Sequence, residues 1–218
     1  LCKKADGPVV AVLSNYVAEQ FRGHYGLKDE RIALIPNGVK THKNFDATES
    51  DRLRAQILAK LRLKEADNPV FFLFVANNFR LKGLTCLIEA LGEAANRYTK
   101  RPAFLIVAGR GKSFKYRWQA RKAGVHQRIV FLGALRHIEN ALAISDVAVL
   151  PTFYDPASRF ILEALAANKP VITTRYNGAC DFIENGRHGR IIESPLDIGG
   201  LADAIAHFTD TENINKAT

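Results

Sequence analysis

Eight short apolar runs recur along the chain, separated by polar or amphipathic stretches. The runs are PVVAVL, RIALI, PVFFLFVA, AFLIVAG, RIVFLG, VAVLP, PVITT and RIIES. Runs this continuous are typical of strands that are buried on both faces, as in a parallel sheet. The stretches between them carry apolar residues at helical spacing, for example Leu84, Leu87, Ile88 and Leu91. The alternation predicts repeated βαβ units in a Rossmann-like, doubly wound parallel α/β sheet.

The segment IPNGVKTHKNFDATES interrupts this alternation. Pro36, Asn37 and Gly38 predict a turn, and a charged helix is expected from about Ser50 to Lys64. We therefore predict a domain boundary here. Residues 1–40 are expected to be a strand–helix–strand tail of a preceding domain with its linker. Residues 41–218 are expected to be a Rossmann-like domain of about six strands.

Composition limits the class of protein. The 218 residues, 47% of them hydrophobic, suffice for one full-sized core, and no apolar run is long enough to span a bilayer. Cys2, Cys86 and Cys180 are widely spaced, which favours a reducing compartment and indicates neither disulfides nor a zinc site. We therefore expect a cytoplasmic protein. The chain has no methionine, even at position 1, and enters a strand almost at once, so we expect it to be a piece of a longer protein.

The formal net charge of +9 favours an anionic partner. Nucleic acid, an anionic membrane and phosphorylated small molecules are the candidate classes. Cations are densest in KSFKYRWQARK, residues 112–122, and around Arg80 and Lys82. For residues 115–122 the alternative is an ordinary solvated helix face. No RNA-binding motif or aromatic stacking ladder accompanies the charge, so we do not expect nucleic acid as the partner.

The segment FYDPASRFILEALAANKPVITT, residues 153–174, combines a turn, an apolar helix and a short strand. Asp155 precedes Pro156, a pattern typical of a helix that begins with Asp as the N-cap, and capping alone would explain Asp155. Glu163 is harder to explain, because its neighbours are apolar and an unpaired buried carboxylate is costly. It must face a polar cleft, have a buried partner or bind ligand hydroxyls.

Two cations lie in the loop VANNFRLKG, between a buried strand and the next helix. Arg80 and Lys82 precede Gly83, where that helix is expected to begin. Cations beside a helix N-terminus at the carboxyl edge of a sheet are well placed to hold a diphosphate. Acceptors for sugar hydroxyls beside such a phosphate site would suit a nucleotide sugar. Ordinary exposed loop charges are the alternative for both residues.

The sequence AGRGKS, residues 108–113, is not a P-loop. That motif requires glycine at position 106, which is Ile106. The dinucleotide-binding fingerprint also fails, because Phe114 stands where its third glycine should be. A glycine-rich turn remains, which would let a ligand approach the backbone closely.

Taken together and in this order, the motifs resemble glycosyltransferase family 4, retaining enzymes of the GT-B architecture. Asp155 and Glu163 form an acid–x7–acid motif, and the resemblance extends to NNFRLKG, the turn after FLIVAG, RIVFLG, ISDVAVLP and NGACDFIENGRHGRII. SNYVAEQFRGHYGLKDERIALIPNGV is similar to the end of the family's first domain and its linker. The FRLKG loop and the SNYVAEQFRGHY helix most resemble the lipopolysaccharide-core glucosyltransferases.

The resemblance implies transfer of a hexose from a nucleotide sugar, expected to be a UDP-sugar, to a glycan or lipid-linked acceptor. It implies that Asp155, Arg80 and Lys82 are catalytic, with Asp155 on hydroxyls of the transferred sugar and the two cations on the diphosphate. Glu163 would bind the ribose. The remaining implied donor contacts are backbone groups of Ala157, Ser158, Arg159, Leu135 and Arg136.

Two departures from the family pattern bear on the identity of the donor sugar. Asp155 is one methylene shorter than the more usual Glu, and Ser158, followed by the bulky Arg159, replaces the usual glycine. No D-x-D motif is present, so we expect no metal and no other cofactor. Arg80, Lys82 and the helix N-terminus would take the metal's place.

The expected partners are the nucleotide sugar, the acceptor and, through basic surface, the inner face of a membrane. Because most of the acceptor-binding domain is absent, we expect the chain alone to bind donor and transfer little. The alternative is a non-enzymatic nucleic-acid-binding or degenerate Rossmann domain.

Overall fold

The computed structural model describes residues 7–39, 45–97 and 99–217. The strands are β1 (Val10–Val12), β2 (Ile32–Leu34), β3 (Val70–Val75), β4 (Ala103–Ala108), β5 (Ile129–Gly133), β6 (Val147–Leu150), β7 (Val171–Thr174) and β8 (Gly189–Ile192). The helices are α1 (Asn15–Tyr25), α2 (Ala47–Leu61), α3 (Leu84–Ala95), α4 (Phe114–Lys122), α5 (Ile138–Ile144), α6 (Arg159–Ala166), α7 (Ile198–His207) and α8 (Thr211–Lys216). Seven of the eight predicted apolar runs contain one of these strands, and the eighth, RIIES, overlaps β8, which begins one residue earlier at Gly189.

Strands β3 to β8 form one parallel six-stranded sheet in the order β5-β4-β3-β6-β7-β8. The central strands pair in continuous register, with Val70–Val75 of β3 opposite Ala103–Ala108 of β4. The order reverses between β3 and β6, which are neighbours in the sheet but not in the chain. This is the doubly wound arrangement, in which ligands bind at the carboxyl ends of the strands where the order reverses. The predicted fold class is confirmed.

The centre of the sheet is excluded from solvent. Phe71, Phe72, Leu73 and Phe74 of β3 and Ile106 of β4 are at most 1% exposed. Helix α3 packs against α4 and α7, and α2 packs against α5. Burial on both faces explains why these strands are continuous apolar runs in the sequence rather than alternating ones.

The N-terminal segment forms a separate two-stranded parallel sheet from β1 and β2, with α1 between them. Its small core consists of Val12, Val17 and Ala18. Ser14 caps α1, and Gly26 ends the helix at φ +64°. The strand–helix–strand element is therefore present. The predicted boundary at residues 40 and 41 lies outside the described residues, and the division into two domains stays a prediction.

The charged helix α2 begins and ends three residues earlier than the sequence pattern predicts. Asp46 is its N-cap and accepts from the Glu49 amide, so the helix begins at Ala47. Arg62 adopts the left-handed conformation at φ 57° and ends it. In the three described ranges, no helix is both long enough and apolar enough to cross a membrane.

Candidate functional site

The loops after β3 and β6 touch at the point where the sheet order reverses. Gly83 has φ +77°, and a Cβ atom there would lie 1.9 Å from the Pro151 carbonyl oxygen. The Phe153 amide donates to the Leu81 carbonyl at 2.9 Å. Glycine can adopt the positive φ and also has no Cβ atom, so it permits the close approach of the two loops that any side chain would prevent. The two loops are therefore fixed against each other.

Lys82 and Asp155 form an ion pair across these two loops. Lys82 Nζ lies 2.7 Å from Asp155 Oδ2 and 2.8 Å from the Tyr154 carbonyl oxygen. Their side chains are only 18% and 13% exposed, respectively. An ammonium group carries three donors, so one remains for a ligand. The structure thus brings together two of the three residues that the sequence predicts to be catalytic.

Arg80, the third predicted catalytic residue, is exposed. It lines a cleft of about 570 Å³ between the loop after β3 and the glycine-rich turn, together with Phe79, Lys112 and Lys115. Within the described ranges its guanidinium forms no ion pair. Arg80 therefore carries an uncompensated positive charge on the loop that also holds Lys82.

Asp155 is not the N-cap of α6, so the capping interpretation is wrong. Ser158 is the cap, its side chain accepts from the Ile161 amide, and the helix begins at Arg159. Asp155 Oδ1 accepts from the Ala157 amide at 3.2 Å instead. The Asp155 carboxylate therefore stabilises a tight turn rather than the end of a helix. The helix itself begins four residues after Asp155.

Asn177 is a buried residue of the site that sequence reasoning missed. Its Oδ1 accepts from the amides of Ser158 and Ala179, both at 3.1 Å, and its Nδ2 donates to Thr173 Oγ1 at 3.0 Å. Asn177 also pairs with Asp155 in an isolated parallel bridge. The Asn-Gly dipeptide signals a turn, but no local pattern connects it to a loop 19 residues earlier.

The predicted backbone donors Ala157, Ser158 and Arg159, and the neighbouring Phe160, which was not predicted, fall into two groups. The amides of Ala157 and Ser158 already donate to Asp155 and Asn177. The amides of Arg159 and Phe160, in the first turn of α6, have no acceptor among the described residues. An anion at this helix end would therefore meet two available N–H groups and the positive end of the helix dipole.

Glu163 lies on α6 with a side chain that is 12% exposed. Its Oε1 is 3.2 Å from Arg159 Nη2, one turn earlier, and the Arg159 side chain is 68% exposed. A surface arginine is a solvated partner, so the buried-partner explanation for Glu163 fails. The polar cleft and the ligand hydroxyls remain as explanations.

Leu135 and Arg136 lie after β5 and line a different cleft, of about 320 Å³, together with His137, Asn140 and four residues of α2 between Glu49 and Gln56. Asn140 connects the two sides, because its Nδ2 donates to Glu49 Oε2 at 2.9 Å. Within the described residues, no hydrogen bond or ion pair joins Leu135 or Arg136 to Lys82 or Asp155. The structure places them at the same carboxyl edge of the sheet, on its β5 side.

The glycine-rich turn after β4 is explained by packing. A Cβ atom at Gly109 would lie 1.7 Å from the Ala76 carbonyl oxygen, and one at Gly111 would lie 2.3 Å from the Phe79 ring. The turn is present as predicted. Its glycines, however, admit the loop after β3, so they give no evidence of a ligand that approaches the backbone.

The N-terminal segment holds the loop between β6 and α6. Ser14 Oγ donates to the Pro156 carbonyl at 2.5 Å, and Asn37 Nδ2 donates to the Ala157 carbonyl at 3.0 Å. A Cβ atom at Gly178 would lie 1.9 Å from the Pro156 oxygen and 2.1 Å from Ser14 Oγ. Residues 142 and 120 positions earlier in the chain thus fix two carbonyls of this loop.

Two other chemistries receive no support from the described residues. No group of three or more His, Cys, Asp or Glu side chains there could hold a metal ion. Burial, reinforced by the nearby Asp181 charge, raises the pKa of the Cys180 thiol to about 11, so this thiol is protonated and a poor nucleophile at neutral pH. The prediction that no metal takes part stays a prediction.

Residues 57–218 match the family model described as glycosyl transferases group 1. The chain belongs to this family. Its similar relatives include the lipopolysaccharide glucosyltransferase WaaG of Escherichia coli K12, 27% identical over 185 residues, 85% of this chain and 48% of the relative. An Escherichia coli UDP-Gal:alpha-D-GlcNAc-diphosphoundecaprenol alpha-1,3-galactosyltransferase is 28% identical over 188 residues, 85% of this chain and 47% of that protein. The chain spans about half the length of these curated relatives.

Solved structures of glycosyltransferases share the fold. The WaaG crystal structure has a TM-score of 0.80 at 23% identity, over 99% of this chain and 57% of that chain. The Anabaena HepE structure in complex with UDP and glucose has a TM-score of 0.79 at 22% identity, over 97% and 56%. The predicted family and its similarity to a lipopolysaccharide glucosyltransferase are confirmed.

Proposed function

We propose that the complete protein is a retaining hexosyltransferase that moves a hexose from a UDP-sugar to a glycan or lipid-linked acceptor, and that this chain holds the donor site. The observation that carries the proposal is the Lys82–Asp155 pair where the sheet order reverses. Beside it lie the available amides of Arg159 and Phe160. A cation, a carboxylate and a helix N-terminus together suit the diphosphate and the hydroxyls of a nucleotide sugar.

In the proposed mechanism, positive groups stabilise the leaving diphosphate. Negative charge develops on it as the anomeric carbon becomes cation-like, and fixed positive groups lower that barrier. The Lys82 ammonium and the start of α6 supply this charge, and Arg80 adds a second cation. These groups take the role that a metal ion has in other transferases, so we propose that no metal or other cofactor is required.

The two carboxylates bind hydroxyl groups in this proposal. Asp155 is oriented by Lys82 on Oδ2 and by the Ala157 amide on Oδ1, and an ionised carboxylate still has lone pairs for sugar hydroxyls. Glu163 binds the ribose. Backbone groups of Leu135 and Arg136 would meet the base on the β5 side of the edge. The amides of Arg159 and Phe160 would meet the phosphate, because the amides of Ala157 and Ser158 already donate to Asp155 and Asn177.

The comparisons support the choice of substrates. One relative is named for a UDP-Gal donor and a diphosphoundecaprenol acceptor, and the HepE structure holds UDP and glucose. Another relative is named a lipopolysaccharide glucosyltransferase, which supports a glycan as the acceptor. We propose the same classes for the complete protein, with a cytoplasmic location and contact with the inner face of a membrane. The chain by itself would bind donor and transfer little.

The test is a titration that compares nucleotide classes. UDP, UDP-glucose, GDP, ADP and a short RNA oligonucleotide are added separately while the melting temperature is recorded; a ligand at 100 times its Kd adds about 2.7 kcal/mol of stability. We expect UDP and UDP-glucose to stabilise the chain, and Lys82→Ala to remove most of the effect. Lys60→Ala, at an exposed position of α2, is the control. Stabilisation by the oligonucleotide alone would favour the nucleic-acid-binding alternative.

A further inference from the structure

The positive charge of the chain is concentrated in one continuous segment. Residues 109–138 contain no Asp or Glu and eight Lys or Arg, compared with a net charge of +9 for the whole sequence. The eight are Arg110, Lys112, Lys115, Arg117, Arg121, Lys122, Arg128 and Arg136. None of them forms an ion pair with another residue that the structure describes. The segment is therefore an uncompensated cationic surface.

Helix α4, in the middle of this segment, turns two aromatic side chains outward. Tyr116 and Ala120 face the core at 4% and 1% exposure. Phe114 and Trp118 are 86% and 59% exposed, and residues four apart lie one turn apart on the same helix face. No packing within the described structure buries this pair, so two neighbouring aromatic side chains are left open to a contact from outside.

Cations flank the aromatic pair on both sides. With 3.6 residues per turn, Lys115 and Lys122 lie along one side of the Phe114–Trp118 line, and Arg117 and Arg121 lie along the other. Lys122 Nζ is 5.9 Å from the centre of the Trp118 ring. Trp and Tyr rings are enriched at the headgroup level of membranes, and Lys and Arg side chains are attracted to anionic lipid, so an outward face with aromatic rings at its centre and cations at its margins suits a membrane surface.

We propose that the outward face of α4, formed by Phe114, Trp118, Lys115, Arg117, Arg121 and Lys122, is a docking surface for an anionic lipid bilayer. The two aromatic rings enter the headgroup region, and the four cations contact anionic headgroups. This assignment identifies the surface for the membrane contact proposed above and rests on that part of the proposed function, but it does not depend on the donor site.

The surface lies beside the proposed donor loop. Phe114 and Lys115 line the same cleft as Arg80. Docking through α4 therefore brings the lipid surface to the loop that carries Lys82, where a lipid-linked acceptor would have to arrive. Nucleic acid fits this surface less well, because a single-stranded backbone is held in a positively charged groove with a series of stacking rings. Here two rings stand on an exposed helix with cations on both sides.

Trp118 provides a direct measurement, because it is the only tryptophan in the sequence. The emission spectrum of the full chain is recorded with vesicles of phosphatidylcholine, with and without phosphatidylglycerol. We expect a blue shift with the anionic vesicles only, reversed by high salt, and quenching by lipids brominated on the acyl chains. No shift at low salt, or an equal shift with phosphatidylcholine alone, overturns the proposal.

Vesicle sedimentation with charge variants distinguishes the contribution of α4 to membrane binding from the contribution of the overall net charge. Arg121→Glu/Lys122→Glu is expected to weaken binding by about tenfold or more. Phe114→Ala/Trp118→Ala is expected to weaken it at unchanged charge. The matched control is Lys28→Glu/Lys60→Glu, which makes the same change of charge at exposed positions outside α4 and should retain most of the binding. Circular dichroism verifies that each variant is folded.

Two outcomes of these assays contradict the assignment. Equal loss of vesicle binding in the control would show that overall charge, not α4, is responsible. A response of Trp118 to oligouridine in the absence of any response to vesicles would identify a nucleic-acid surface instead. UDP affinity is measured in parallel on Arg121→Glu/Lys122→Glu and is expected to be unchanged, so failure of vesicle binding and failure of the donor site are distinguishable.

Discussion

Lys82 Nζ lies 2.7 Å from Asp155 Oδ2, although the two residues are 73 positions apart in the chain. They meet because β3 and β6 are neighbours where the sheet order reverses, which places the loops after these strands side by side. Lys82 also donates to the Tyr154 carbonyl, so its ammonium is held in place without any ligand. Charge that is fixed in advance is what a developing diphosphate leaving group requires.

The first prediction concerns the two cations of this loop. Arg80→Ala and Lys82→Ala are each expected to weaken UDP binding by about 1.5–3 kcal/mol, the range for a hydrogen bond to a charged group. Isothermal titration calorimetry measures the change, with Lys60→Ala as control. Lys82→Ala should also lower the melting temperature, because it leaves the mostly buried Asp155 carboxylate unpaired. Unchanged UDP affinity in both variants would show that Arg80 and Lys82 are ordinary loop charges.

The second prediction concerns Glu163. Glu163→Gln is expected to fold with a near-normal melting temperature and to bind UDP more weakly, because a charged acceptor for ribose is replaced by a neutral one. Arg159→Ala is the matched control, since it removes the same solvated ion pair from the other side. Exposed i,i+4 pairs contribute about 0.3–0.5 kcal/mol, and Arg159 is 68% exposed, so the control should lower stability by less than Lys82→Ala does and leave UDP affinity nearly unchanged. A destabilised Glu163→Gln with normal UDP binding would make Glu163 a structural residue.

The sheet could be predicted from the sequence because burial on both faces gives each central strand a continuous run of apolar residues. Each strand from β3 to β6 contains at least four consecutive apolar residues, and the helices between them show their own spacing. The Lys82–Asp155 pair could be anticipated as two motifs at strand ends. The motifs did not reveal that Lys82 binds Asp155 directly, because this contact depends on the strand order.

Other parts of the site depend on contacts that produce no local sequence pattern. Asp155 and Pro156 resemble a helix start, but the true start depends on Ser158 and on Asn177, whose side chain accepts from the Ser158 amide. Ser14 contacts the same loop from 142 positions earlier. A hydrogen bond between distant segments changes the hydrophobic pattern of neither one, so sequence periodicity cannot predict it.

A third prediction follows from His207 and concerns pH. Burial, followed by the nearby Arg190 charge, lowers the pKa of His207. Its Nδ1 lies 3.3 Å from Asn213 Nδ2 and 3.5 Å from Arg190 Nη2, two groups that only donate, so the folded state favours an unprotonated Nδ1. The unfolded chain therefore binds the proton more readily. The free energy of unfolding should decrease as pH falls below about 6.5, by at most about 1.4 kcal/mol per pH unit from this group.

Urea denaturation between about pH 8 and about pH 5 measures this dependence. His207→Gln is expected to show a smaller decrease than the wild-type chain. His24→Gln, at an exposed position of α1, is the control for removal of a histidine. Identical pH dependence in wild type and His207→Gln would contradict the assignment.

The last prediction concerns Ser14, which is fully buried and makes two hydrogen bonds. Its Oγ accepts from the Val17 amide, which caps α1, and donates to the Pro156 carbonyl, which belongs to the donor loop. Ser14→Ala removes both, and we expect it to lower the free energy of unfolding by about 1–3 kcal/mol. Because Pro156 directly precedes Ala157 and Ser158, the loop should also become less ordered and UDP affinity should fall.

Asp46→Ala is the control that distinguishes the loss of stability in Ser14→Ala from its expected loss of UDP affinity. Asp46 caps α2 from an exposed position, and its side chain accepts from the Glu49 amide at 3.1 Å. Loss of that cap should cost about 1 kcal/mol of stability and leave UDP affinity unchanged, because Asp46 makes no hydrogen bond to the loop between β6 and α6. UDP affinity is measured by calorimetry well below both melting temperatures, so that unfolding does not contribute. If Ser14→Ala lowers stability but binds UDP as tightly as Asp46→Ala, the N-terminal segment stabilises the fold without positioning the donor loop.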